Sequence, residues 1–181
     1  ITLFGDGPMI IAVNNALPVH SIPELLAYAR QRKGQLNFGS SGNGSTPHLA
    51  GILFNSMGQT DILHIPFKGA SEYITAVVGG HVPLTFASSP TAIPHIRSGA
   101  IKGLAVTTAR RVRQIPDIPT IAESGFPGYD IVSWYGVLAP AKTPAAIVNR
   151  LHQAIVASTK TKGFIDRTGE YELIVNTPAE F

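Results

Sequence analysis

Between Ile10 and Val106, short β-branched runs alternate with amphipathic stretches of helical length. No other feature limits the fold so strongly, because that alternation is the pattern of successive βαβ units and a mainly parallel sheet. The runs predict strands at Ile10 to Val13, Leu36 to Gly39, Ile62 to Ile65, Val82 to Phe86 and Gly103 to Thr107. Between the first two, Ser21-Ile22-Pro23-Glu24 reads as a capping box that opens a helix carrying Leu25, Leu26 and Tyr28 and stopping near Gly34. A second helix is expected over Thr46 to Met57, with Leu49, Ile52, Leu53 and Phe54 on its apolar side and Gly58 at its end. The third runs from Ala70 to Val78 and closes on Gly79-Gly80; the fourth, Thr91 to Arg97, is short and disturbed by Pro94.

Past Thr107 the texture turns polar and proline-rich, from Arg110 to Pro119, and Gly125-Phe126-Pro127-Gly128 is turn chemistry at a domain edge. A strand from Ile131 to Leu138 then leads into a helix over Ala145 to Ser158, with Pro144 in its first turn. A helix near Phe164 and a strand over Leu173 to Val175 complete the expected elements.

Composition removes several classes of function. The formal charge of +3 comes from scattered basic residues, densest at Arg110, Arg111 and Arg113, which is a solvated loop rather than a nucleic-acid surface. Apolar runs such as Pro8 to Val13 are far too short to span a membrane, and no segment has the form of a signal peptide. With no cysteine, disulfides and thiolate metal sites are excluded. The six histidines show no metal-binding spacing, so no metal site is expected.

The informative segment is Gly39-Ser40-Ser41-Gly42-Asn43-Gly44-Ser45-Thr46-Pro47-His48, placed between a predicted strand and a predicted helix. In an open α/β sheet, ligands sit outside the carboxyl ends of the strands, where a helix start offers unpaired N–H groups and the positive end of its dipole. Gly42, Asn43 and Gly44 let the main chain approach an anion, and Ser40, Ser41, Ser45 and Thr46 add hydroxyl donors. The spacing nearly reproduces the nucleotide loop G-x-x-x-x-G-K-[ST], with Gly39, Gly44 and Thr46 in place. Ser45 replaces the lysine that reaches the β- and γ-phosphates, which points to a smaller anion such as a carboxylate. An ordinary βα turn capped by Ser45 or Thr46 stands beside this reading.

Two more strand ends reach the same edge. Phe67-Lys68-Gly69 could supply a lysine for a carboxylate and an aromatic cover for its stem, although a lone exposed lysine is usually just solvated. After the buried strand at Phe86 come Ala87 and the hydroxyl of Ser88. Trp134 and Tyr135 serve equally as the wall of a cleft or as core aromatics. Chemistry on the ligand has thin support: Ser45 and His48 are three apart at a helix start, so a hydrolase or isomerase is the alternative, but no nucleophile elbow and no orienting acid accompany them.

Taken together, Leu36 to Ser45 with His48-Leu49-Ala50, His64 to Gly69, Leu104 to Thr107, Ile115 to Thr120 and Ser133 to Pro140 with Thr143-Pro144 resemble the solute-binding receptors of tripartite tricarboxylate transporters, the Bug-type periplasmic binding proteins. The resemblance implies a two-lobed α/β receptor of type II-like architecture, mainly parallel sheets flanked by helices, that takes a small organic acid between its lobes. It also implies a periplasmic location, membrane transporter subunits as partners, no nucleic acid, no insertion into the membrane and no enzymatic activity. Residues 1–11 and 134–181 would form a partial first lobe and 12–133 a second lobe. The second lobe would carry the Gly39 to Thr46 loop, while the first lobe's own glycine-rich loop has no counterpart here. Where many relatives place an aspartate this chain has Ala87, which implies a ligand without an amino group, such as a di- or aromatic carboxylate.

Overall fold

The computed structural model describes residues 1–168 and 172–181. Its elements in chain order are β1 (Thr2–Asn14), α1 (Ile22–Gln31), β2 (Asn37–Ser40), α2 (Thr46–Gly58), β3 (Leu63–Pro66), α3 (Ala70–Val78), β4 (Leu84–Ser88), α4 (Ser89–Arg97), β5 (Ile101–Val106), β6 (Val132–Val137), α5 (Ala145–Thr159), α6 (Lys162–Thr168) and β7 (Glu172–Leu173). The chain divides into two compact units, Pro8–Val132 and the pair of segments Ile1–Gly7 and Ser133–Phe181.

In the Pro8–Val132 unit the strand order is β3-β2-β4-β1-β5. Four of these five strands run in one direction, as a mainly parallel sheet requires, and β1 is the exception. β2 pairs parallel with both β3 and β4, as their helical crossovers require, but β1 runs antiparallel between β4 and β5. The four strands β2 to β5 therefore share one direction and only β1 opposes them. Its Cα register matches Ile10 to Ala87 on one side and to Val106 on the other. β1 is also far longer than Ile10 to Val13, because its first residues belong to the other unit, where Gly5 pairs with Leu173 and Asp6 with Glu172. Glycines at 5 and 7 and Pro8 hide that stretch from a reading based on alternation.

Helices cover both faces of this sheet. On one, Met9, Ile11, Val13, Phe38, Leu84 and Phe86 meet Ile22 and Leu25 of α1 and Ala50 and Phe54 of α2. On the other, Ile10, Ala12 and Ala87 meet Tyr73, Ile74 and Val77 of α3 and Ala92 and Ile93 of α4. The proline-rich connection belongs to this unit as well: Phe126 and Tyr129 are buried in the first cluster, Val112 and Ile115 in the second.

Local signals mostly hold, with informative shifts. Ser21 caps α1 by accepting the Glu24 N–H at 3.3 Å, and Glu24 reaches back to the His20 N–H at 2.8 Å, one residue earlier than a standard capping box. α4 continues through Pro94 to Arg97, and Pro94 keeps a use for its carbonyl by accepting the Ser98 N–H. Pro144 sits at the N-cap of α5, one place before the first turn. On α2 the expected apolar face is wrong in part. Leu49 and Ile52 are exposed, while Pro47, Ala50, Gly51 and Phe54 face the core. Among the described residues no helix is long and apolar enough to cross a membrane.

Candidate functional site

Because β2 connects outward to β3 while β4 leads on through α4 to β5, the carboxyl ends of β2 and β4 flank the point where the sheet's winding reverses. Open α/β sheets hold ligands at such points. The Ser41 to Ser45 loop leaves β2 there and enters α2, whose first turn contains Pro47. Gly42 and Gly44 have φ of 117° and 77°, so the loop needs glycine at both places to fold back on itself.

The loop is tied internally. Ser40 is fully buried, and its Oγ accepts the Gly42 N–H at 3.1 Å and lies 2.6 Å from Nε2 of His64. Ser45 N–H donates to the Gly42 carbonyl at 3.3 Å, and the Ser45 hydroxyl donates to the same oxygen at 2.6 Å. Gly44 N–H donates to Nδ1 of His48 at 3.0 Å. A His48 that accepts through Nδ1 is a neutral imidazole with its proton on Nε2. Its ring lies 4.1 Å, centroid to centroid, from that of His64, which in turn stands 5.2 Å from Phe38. Burial, and after it the charge of His48, holds the His64 imidazole below its ordinary value.

This geometry revises the cradle expected from sequence. The hydroxyls of Ser40 and Ser45 and the amides of Gly42, Gly44 and Ser45 are spent on the loop itself, so they build its shape instead of receiving a ligand. The amides of Ser41, Asn43, Thr46 and His48 and the hydroxyls of Ser41 and Thr46 carry no hydrogen bond to any described residue. Four amides and two hydroxyls near one helix start are thus without a partner among the described residues, and the sequence has no Asp or Glu between Gly39 and Gly58.

The other expected residues fare differently. Phe67 is half-buried and packs toward the second cluster, with its ring 3.2 Å from where a Cβ on Gly39 would stand. Lys68 is exposed at the end of β3, and its amide is capped by Glu72 at 3.0 Å; Gly69 is the N-cap of α3 with open space around it. Ser88, the N-cap of α4, has its hydroxyl 2.8 Å from that of Thr91. These strand ends share the loop's edge because β2, β3 and β4 are parallel neighbours. Ala87 is corrected: its methyl is fully buried in the second core cluster and offers nothing to a ligand. Trp134 lies in the other unit, 59% exposed with its ring 6.2 Å from Phe181, so it is not a core aromatic. A groove of about 380 Å³ between the first turns of α3 and α4 includes none of the loop residues.

Sequence reasoning missed His64. A search for histidines at helical spacing is blind to one on β3 that meets another on α2, and the only hint was the shared edge. The Ser45 and His48 pairing imagined for catalysis is absent, since Ser45 binds Gly42 and His48 binds Gly44.

A family profile described as the tripartite tricarboxylate transporter family receptor matches residues 1–174. Protein BugT of Bordetella pertussis is 30% identical over 166 residues, 92% of this chain and 51% of its own length. A Rhodopseudomonas palustris protein solved with adipate superposes with a TM-score of 0.92 at 36% identity, covering 99% of this chain and 61% of that one. MatC, from the same organism and solved with malate, gives 0.89 at 26% identity, with coverage of 99% and 61%. The chain spans about half the length of the curated relatives it matches.

Proposed function

The chain belongs to the tripartite tricarboxylate transporter receptor family, the Bug-type solute-binding proteins, and we propose that it captures a small organic carboxylate at the start of α2. Such a receptor works in the periplasm, passes its ligand to the membrane subunits of a tripartite transporter, and leaves the ligand chemically unchanged without a cofactor. Within it, Pro8–Val132 is the second lobe and the remaining segments are part of the first.

One observation carries this reading. The Ser41, Asn43, Thr46 and His48 amides, with the Ser41 and Thr46 hydroxyls, have no partner among the described residues and lie at or just before the positive end of a 13-residue helix. Each hydrogen bond to a charged oxygen adds about 1.5–3 kcal/mol, so a few of them outweigh the dipole's own contribution of about 0.3–1 kcal/mol. Lys68 and Ser88 are proposed as secondary contacts that orient the rest of the ligand. No carboxylate in the loop or α2 is available to a ligand ammonium, so dicarboxylates such as adipate or succinate are favoured over aspartate and glutamate. Supporting this class, two of the similar proteins were solved with adipate and malate.

Calorimetry on the wild-type chain and on Ser41→Asp tests the proposal. Ser41 is half-exposed, so the substitution leaves the core alone while placing a negative charge in the cradle. Adipate affinity should fall by at least about tenfold, the effect of roughly 1.4 kcal/mol of like-charge repulsion. Equal adipate binding by the two proteins, or tighter binding of aspartate than of adipate, would overturn the assignment.

A further inference from the structure

The loop that supplies the free donors is held at two points, and an imidazole stands behind each. His64 lies against buried Ser40, whose Oγ in turn takes the Gly42 N–H. His48 takes the Gly44 N–H directly. The two rings also meet each other at 4.1 Å.

We propose that His48 and His64 act together as a proton-sensitive brace: the loop keeps its anion-accepting shape only while both rings are neutral, so acid loosens the loop and weakens carboxylate capture. This rests on the reading of the loop as the carboxylate site. A proton on Nδ1 of His48 would set a second donor against the Gly44 N–H, now at 3.0 Å, and that bond would break. A charge on either ring would face the other ring and the positive end of α2. Of the elements packed on β2, α3 carries one acidic residue, Glu72, and its carboxylate accepts the Lys68 N–H at 3.0 Å. β2, the loop, α2, β3 and β4 contain no Asp, Glu, Lys or Arg. The nearest charged residues along the chain are Asp61, Lys68 and Glu72, and a proton on His48 would further disfavour one on His64. Burial of His64 works in the same direction, against protonation.

Two measurements on the ¹⁵N-labelled chain test the brace. Without ligand, the Gly42 and Gly44 amide resonances should move together as the pH is lowered from about 8 to about 5, the range in which imidazole charges. In parallel, succinate affinity is measured at both ends of that range for the wild type and for the double variant His48→Asn, His64→Gln. Asn and Gln keep a polar atom near Nδ1 and Nε2 but do not titrate. Protonation of succinate itself affects both proteins alike. The wild type should therefore lose at least about fivefold more affinity in acid than the variant, as a site requiring neutral histidine must. Static Gly42 and Gly44 resonances, identical pH profiles, or tighter wild-type binding in acid would each overturn the brace. If the two amides titrate as expected but succinate binds at no pH, the brace stands and the carboxylate reading falls.

Discussion

At the scale of single residues, Gly51 shows how tightly the site is founded. A Cβ there would stand 2.3 Å from Cζ of Phe38 and 2.4 Å from its Cε2, far inside contact distance. Phe38 has nowhere to retreat, since its buried ring is flanked edge-on by Phe86 at 5.6 Å and by His64 at 5.2 Å. Gly51→Ala should therefore cost about 2–3 kcal/mol in urea denaturation, the usual penalty for overpacking a well-filled core. A loss below about 0.5 kcal/mol would mean the ring repacks freely, and the rigid support of the loop by β2 and α2 would be in question. Nothing in the sequence marks Gly51 as special, because glycine in a helical run reads only as a weak helix former. The same blindness covered His64. Its role depends on a neighbour 16 positions away on another element, whereas the glycines and hydroxyls of the loop could be read where they stand.

Elements were legible where their signals are local. The expected Ala70 to Val78 helix is the observed α3, and Ser21 with Glu24 marks the start of α1. The end of α2 was misjudged for a physical reason. Gly58 does not stop the helix; it lies within the last turn because Leu26 Cδ2 comes within 2.8 Å of the place a Cβ would take, and Phe126 lies just beyond at 3.3 Å. The left-handed position falls instead to Gln59, with φ of 50° and its N–H on the Asn55 carbonyl. A side chain there costs about 1 kcal/mol relative to glycine. Gln59→Gly should accordingly raise stability by about 0.5 kcal/mol, the gain being partly offset by the greater freedom of glycine in the unfolded chain. A thermal melt in which this variant unfolds earlier than the wild type would show that the Gln59 side chain makes a contribution larger than its backbone strain.

For the molecule as a whole, the distribution of apolar burial separates the two units. Every residue of both core clusters lies between Met9 and Ile131. In the segments Ile1–Gly7 and Ser133–Phe181, by contrast, α5 buries only Thr159, and Leu138, Ile147, Leu151 and Ile165 are 43–72% exposed. The α/β alternation that predicted the Pro8–Val132 unit arises because its helices and strands must hide apolar faces from water. Where those faces stay exposed, the same reading still found helices and strands but could say nothing of what stabilises them. Since apolar burial contributes about 25 cal/mol per Å², local opening should be far less costly around α5 than in β1, β4 and β5. Thermolysin, which cleaves beside large apolar residues, should therefore make its first cuts between Leu138 and Ile165 under native conditions and leave a fragment close to Pro8–Val132 intact. Mass spectrometry of the early products decides the matter. First cuts within α1, α2 or β4, or survival of α5 after the Pro8–Val132 unit is degraded, would require a source of stability in the smaller unit other than burial of its side chains.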